Sequence, residues 1–168
     1  DDVTLDEYLK MIEYKTAVLV GAALKMGAIV AKTSTENAEL IYDFGRNLGI
    51  AFQLQDDYLD AFGEVAKLGK QKGGDIQANK KTYLLLKAIA LGNEEQKNQI
   101  QELLNSNAED KVTQMLSLFE ATKAKEACKE LIQHYTQAAF DSLDKLSIDA
   151  SMKEPFIQIT NYLLNREH

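Results

Sequence analysis

The sequence predicts an all-α protein, and three observations carry that prediction. Apolar residues recur at helical spacing from end to end, and no segment sustains the two-residue alternation of a half-buried strand. In 168 residues there is one proline, Pro155, and nine glycines, which leaves room for long regular elements. Two threonine-led capping boxes open the longest periodic runs, each placing a hydroxyl acceptor at the helix start and a glutamate three residues on.

The first box, Thr4-Leu5-Asp6-Glu7, starts a helix expected to run to about Ala31. Within it, AVLVGAALKMGAIVA (residues 17–31) is apolar on most sides. It is too short for a membrane span and is interrupted by Lys25, so a central helix flanked by other helices fits better. The second box, Thr33-Ser34-Thr35-Glu36, starts a helix that should stop at Gly63. Residues 64–81, EVAKLGKQKGGDIQANKK, break the pattern with three glycines and five lysines and read as a loop. Thr82 opens a short apolar helix, TYLLLKAIA, ended by Gly92. Further helices are expected near 94–105, 108–121, 122–146 and 151–165. No repeat, low-complexity tract or linker interrupts the chain, so one helical domain is expected over residues 1–168.

The composition excludes several function classes. Hydrophobic residues at 45% and charged residues at 27% are ordinary for a globular protein. The formal net charge of −7 argues against general nucleic-acid binding. Cys128 is the single cysteine, lies in the helical segment KEACKEL and has no disulfide partner; a reducing, cytoplasmic setting fits. His134 and His168 read as surface residues. The chain begins DDVTL, with neither an initiating methionine nor a signal-like segment, and this start reads as a cut inside a larger protein.

The chemistry is concentrated at FQLQDDYLD, residues 52–60. Residues three and four apart share a helix face, so Asp56 and Asp60 stack and Asp57 flanks them. Gln53 lies one turn earlier, and Phe52 shares that side. Oxygen ligands at this spacing suit a hard cation, and Mg²⁺ takes one or two protein carboxylates while waters and phosphates complete its octahedron. The following stretch from Val65 to Lys87 carries Lys67, Lys70, Lys72, Lys80, Lys81 and Lys87 against Asp75 alone, a local +5. From Leu54 to Glu64 the balance is −4, from Asp56, Asp57, Asp60 and Glu64. An acidic helix end followed by a lysine- and glycine-rich loop supplies the parts of a Mg²⁺-diphosphate site. Taken singly, each part has a plainer reading as a solvated face, a soluble loop or ordinary core.

FQLQDDYLD, then LGKQKGGD, then KKT together resemble the second aspartate-rich region of the trans-isoprenyl diphosphate synthases, the polyprenyl synthetase family. YLKMIEYKTAVL, residues 8–19, resembles that family's upstream helix with its Lys-Thr pair, and NYLLNREH resembles its basic C-terminal end. The resemblance spans essentially the whole chain, and the gaps between Asp56, Lys70, Asp75, Lys80 and Thr82 match. It implies the C-terminal part of the isoprenoid synthase helical bundle. It also implies Mg²⁺ as cofactor, isopentenyl diphosphate and an allylic diphosphate as substrates, and a homodimer for the intact enzyme. Carried over, Asp56 is the direct Mg²⁺ ligand, and Asp57 and Asp60 orient metal-bound water or complete the cluster. Lys15 and Lys70 hold the allylic diphosphate, and Lys80 supports the same anionic region. Thr16 and Gln53 lie near the ionising carbon. Gly73 and Gly74 let the loop approach closely, and Arg166 stands at the end that closes the pocket.

The chain departs from the family in one respect: beside FQLQDDYLD it contains no other aspartate-rich motif, so the first of the family's two is missing. The resemblance therefore implies the C-terminal half of a synthase, catalytically inactive by itself, with an apolar helix over residues 4–31 lacking neighbours and inclined to self-associate. Two other readings compete. Asp56, Asp60 and Glu64 have the spacing of a class I terpene cyclase metal motif, although Gly63 should end the helix first. A non-catalytic helical partner of a synthase would keep the fold, but has no need of Lys15, Asp56 and Lys70.

Overall fold

The computed structural model describes residues 3–63 and 73–164, and among these every regular element is helical. Lys67, Lys70, Lys72, Glu64, Arg166 and His168, all singled out in the sequence, lie outside the described residues.

The first expected helix forms, but not as one α-helix. It comprises α1 (Leu5–Ile12), a π-helical turn (Glu13–Ala17) and α2 (Val18–Val30). The Thr4 box is present as predicted: Thr4 Oγ1 accepts the Glu7 N–H at 3.2 Å, and the Thr4 N–H donates to Glu7 Oε2 at 2.9 Å. Helix α3 (Thr35–Phe62) is 28 residues long and stops at Gly63 as expected. Its cap differs by one residue from the predicted one. The Asn37 N–H donates to Ser34 Oγ at 3.1 Å, so Ser34 caps the helix in place of Thr33. Either hydroxyl suits the role; Lys32, two residues before Ser34, is left-handed with φ 58°.

A short helix, α4 (Gly74–Gln77), occupies part of the stretch read as a loop. Four residues are too few for periodicity to reveal. Then come α5 (Tyr83–Leu91), capped by Thr82, and α6 (Glu94–Leu104), opened by a full Asn93/Gln96 capping box. Helices α7 (Lys111–Ala121), α8 (Ala124–Asp144) and α9 (Ala150–Leu164) follow close to expectation. Helix α7 starts three residues later than its apolar pattern suggested, because Ala108–Asp110 lead in as a turn.

Contacts divide the described residues into two units. One joins those up to Tyr8 with those between Leu54 and Glu130; the other joins Leu9–Gln53 with those from Leu131 onward. In the first, α4 and α5 pack on α7, and α6 packs on both α5 and α7. In the second, Ile41, Phe44 and Leu48 of α3 pack with Ala139, Leu143 and Leu146. Phe44 meets Phe156 edge-on, ring centroids 5.6 Å apart, and the Ser147 N–H donates to Asn37 Oδ1 at 3.1 Å.

Small residues set the crossing of the π turn and α2 with α3. A Cβ at Gly49 would lie 2.6 Å from Ala17 Cα, and one at Gly21 would lie 2.8 Å from the Tyr42 carbonyl oxygen. Both contacts involve backbone, which cannot swing aside, whereas Gly27 has open space around its Cβ position. Gly49→Ala should therefore destabilise the chain by about 1–3 kcal/mol through overpacking. Gly27→Ala should stabilise it by about 0.5–1 kcal/mol, because alanine is the better helix former. Urea unfolding of the two variants checks this; equal effects of one sign would contradict the crossing geometry.

Helix α2 buries only Gly21 and leaves Leu19, Met26, Ile29 and Val30 exposed, Val30 by 82%. Apolar residues grouped in this way on one helix favour association. Light scattering should give a mass that rises above the monomer with concentration, and Leu19→Lys with Val30→Lys should return it to the monomer.

Candidate functional site

The carboxylates of FQLQDDYLD stand on the last two turns of α3, where the helix macrodipole is negative and repels further negative charge. Their local setting supplies donors in compensation. Tyr8 Oη donates to Asp57 Oδ2 at 2.5 Å. Tyr8 is only 2% exposed, and its ring lies 6.3 Å from that of Tyr83. Burial and the Asp57 charge hold the phenol well above its ordinary range, so it remains a donor. Asp60 Oδ2 accepts the Asp75 N–H at 2.9 Å, and Asp75 pairs with Lys80 Nζ. On the neighbouring helix, Lys129 and Lys125 lie over the Tyr58 and Phe62 rings at 5.5 and 4.4 Å.

The titration behaviour follows from this geometry. Burial raises Asp57 from 3.8 to about 6, with the Tyr8 hydrogen bond opposing the rise. Burial also raises Asp60, against the Asp75 backbone hydrogen bond. Lys80 is raised by its hydrogen bond to Asp75, with Asp60 and Asp57 adding attraction. Asp57, Asp60, Asp75 and Lys80 thus lie within electrostatic reach of one another. Cys128, fully buried, is pushed up to about 12 by burial and the Asp57 charge, which keeps it a thiol.

In the second unit the Lys-Thr pair falls inside the π turn. Thr16 Oγ1 donates to Gln53 Oε1 at 2.9 Å, so two of the expected residues meet directly. Arg46 Nε donates to Glu13 Oε1 at 2.6 Å. Lys15 is exposed and Phe52 half-buried. Arg46, Gly49 and Gln53 recur at spacings of three and four along one face of α3, and Glu13, Ala17 and Thr16 meet that face through the turn. A π turn inserts one residue into a helix and is often found at functional positions.

Among the described residues no three histidine, cysteine or acidic side chains converge closely enough to hold a metal alone. Asp57 and Asp60 each have an oxygen already accepting a hydrogen bond. The set therefore does not fit a closed, protein-only metal cage. It does fit a hard cation that takes one or two carboxylates and completes its shell with water and phosphate oxygens.

Sequence reasoning found the carboxylates, the Lys-Thr pair, Gln53 and Lys80. It assigned no role to Tyr8, to the Glu13–Arg46 pair or to Lys111. Lys111 is 2% exposed and donates to Asn79 Oδ1 at 2.8 Å and to the Ser106 carbonyl at 3.1 Å. Tyr8 and Asp57 are 49 residues apart, and Lys111 and Asn79 are 32 apart. No local pattern signals such pairs.

A family model described as polyprenyl synthetase matches residues 1–122. The short chain isoprenyl diphosphate synthase of Methanothermobacter thermautotrophicus is 35% identical over 99% of this chain and 51% of its own length. The geranylgeranyl diphosphate synthase of Sulfolobus acidocaldarius is 36% identical over 87% of this chain and 44% of its own. A crystal structure of a geranylgeranyl pyrophosphate synthase superposes with a TM-score of 0.87 at 42% identity, over 100% of this chain and 53% of that one. The geranylgeranyl pyrophosphate synthetase of Pyrococcus horikoshii superposes at 0.89 with 28% identity, over 98% and 50%. The chain spans about half the length of the relatives it matches.

The raised Asp57 has a consequence for stability. Its folded value lies above the unfolded one, so its stabilising contribution is complete below about pH 4 and is lost as pH rises through about 6. Asp57→Asn keeps an acceptor for Tyr8 and removes the charge. It should stabilise the chain by about 1–3 kcal/mol at pH 8 and by less than about 0.5 kcal/mol at pH 4. Thermal unfolding at the two pH values measures this, and a lowered midpoint at pH 8 would refute it.

Proposed function

The chain belongs to the polyprenyl synthetase family, and from that premise we propose that it forms the diphosphate-gripping half of a trans-prenyltransferase of isoprenoid biosynthesis. The reaction is the Mg²⁺-dependent condensation of isopentenyl diphosphate with an allylic diphosphate. The observation that carries this reading is the first-unit cluster in which Asp57 and Asp60, both costly to ionise where they stand, are grouped with Asp75 and the Lys80 cation. Such a grouping favours arrival of a cation together with an anion, which is what a metal-diphosphate complex brings.

Asp56 and Asp57 would hold the Mg²⁺, which when bound draws electron density from the diphosphate oxygens and makes it a better leaving group. Lys80 binds phosphate oxygens and neutralises charge that grows as the allylic C–O bond breaks, and on sequence grounds alone Lys15 and Lys70 take the same role. This charge is greater in the transition state than in the bound substrate, so fixed cations accelerate ionisation and do more than tighten binding. Thr16 and Gln53 are bonded to each other in the second unit; the family resemblance assigns them to the ionising carbon, where their oxygen dipoles would stabilise positive charge. The double bond of isopentenyl diphosphate attacks that carbon, and proton loss leaves a prenyl chain longer by one five-carbon unit.

We further propose that the intact synthase is a cytoplasmic homodimer. The single buried thiol of Cys128 suits a reducing compartment.

With one aspartate-rich motif in its sequence, the chain alone should yield no elongated product from isopentenyl diphosphate and a labelled allylic diphosphate. It should still bind inorganic pyrophosphate in calorimetry at least about tenfold more tightly with Mg²⁺ than without. Asp56→Asn and Lys80→Ala should each weaken that binding by about tenfold. Affinity indifferent to Mg²⁺ and to both substitutions would reject the reading.

A further inference from the structure

Asp60 is engaged through both its backbone and its side chain. Its carbonyl oxygen accepts the Gly73 N–H at 2.8 Å, and its Oδ2 accepts the Asp75 N–H at 2.9 Å. Together these bonds fasten the end of α3 to the backbone entering α4. Gly73 has a left-handed φ of 76°, and a Cβ there would come within 2.5 Å of Val112 Cγ1. The same residue therefore needs glycine for its conformation and for its approach to α7. At Gly74 a Cβ would stand 3.3 Å from Asp60 Oδ1.

The far end of this segment is fastened as well. The Lys80 N–H donates to the Asp75 carbonyl at 2.9 Å, and Lys80 Nζ pairs with the Asp75 carboxylate. Asn79 is left-handed, its Oδ1 accepts from buried Lys111 and its Nδ2 donates to the Leu104 carbonyl at 3.0 Å. The segment from Gly73 to Lys80 is thus held by Asp60 at its start and by Lys111 at its end.

We propose that Asp60 is a positioning residue: its carboxylate anchors the Gly73–Gln77 turn, and through it Asp75 and Lys80, and is not one of the carboxylates that hold the metal. Moving Asp60 Oδ2 onto a metal would release the backbone turn that carries Asp75 and Lys80, whereas the Tyr8 bond to Asp57 fastens no such turn. The assignment rests on the reading of this cluster as a metal-diphosphate site, and it divides the three aspartates by task. Asp56 and Asp57 serve the ligand; Asp60 serves the fold.

Asparagine accepts backbone N–H bonds as well as aspartate does, but it carries no charge for a metal. The test uses the ¹⁵N-labelled chain with two variants, Asp60→Asn and Asp60→Ala, and two readouts. The first is hydrogen exchange of the Asp75 amide without metal. Asp60→Ala should accelerate it by at least about tenfold while the Leu84 and Phe119 amides stay unchanged, and Asp60→Asn should remain within about threefold of the parent. The second is Mn²⁺ uptake with inorganic pyrophosphate, followed by electron paramagnetic resonance. Here Asp60→Asn should stay within about threefold of the parent, and Asp56→Asn should fall by more than about tenfold.

An Asp75 amide indifferent to Asp60→Ala would overturn the proposal. So would an Asp60→Asn variant that loses Mn²⁺ as far as Asp56→Asn does. If the parent chain takes up no Mn²⁺ with pyrophosphate, the metal-diphosphate reading fails, and the exchange data alone decide whether Asp60 is the anchor.

Discussion

Negative charge at the C-terminal end of α3 is the constraint around which the first unit is arranged. Asp56, Asp57 and Asp60 sit where the helix macrodipole disfavours anions, and partial burial removes much of the water that would otherwise offset them. The fold answers with donors from separate parts of the chain: a phenol from α1, a backbone amide from the first turn of α4, and the Lys80 ammonium beyond it. Each donor lowers the penalty without abolishing it, since Asp57 and Asp60 remain harder to ionise than free carboxylates. Carboxylates left in this partly compensated state cost stability, and stability forgone at one spot is common where ligands bind.

The donors themselves need support, and a neutral-partnered lysine supplies part of it. Lys111 is almost completely buried, and its ammonium is met by an amide oxygen and a backbone carbonyl. Such an arrangement is tolerable only because hydrogen bonds replace hydration. Its benefit is geometric: it holds Asn79 in a left-handed conformation next to Lys80. The cation that faces the carboxylates is therefore positioned by a second cation that does not.

The second unit applies a different device to the Lys-Thr pair. Ala17 and Gly49 let two helix backbones approach within a distance that any larger side chain would forbid. That approach brings the Thr16 hydroxyl to Gln53 and Glu13 to Arg46, with the π turn supplying the extra residue that aligns them. A straight α-helix through residues 5–30 would carry the same side chains at a different phase, because each inserted residue rotates the remainder of the helix by roughly 100°. The feature that sequence periodicity missed is thus the one that orients this pair.

Much of the fold was legible in advance because its signals are local. Thr4 with Glu7, Thr82, Gly63 and Gly92 mark helix boundaries through bonds or conformations spanning a few residues, and the long apolar runs declare their helices by spacing. The candidate residues Asp56, Asp57, Asp60, Lys80, Lys15, Thr16 and Gln53 were legible for a related reason, since carboxylates, amides and lysines at set intervals have few common uses. By itself the sequence determined the helical class and the order of the long helices, and it singled out the candidate side chains. The tertiary structure decided which of them meet. Asp57 to Tyr8, Asp60 to the Gly73–Asp75 backbone, Asn79 to Lys111 and Thr16 to Gln53 are all contacts between distant stretches of chain. Their pairing depends on helix crossings, a π turn and glycine clearances, and these arise only when the packed elements compete for the same space.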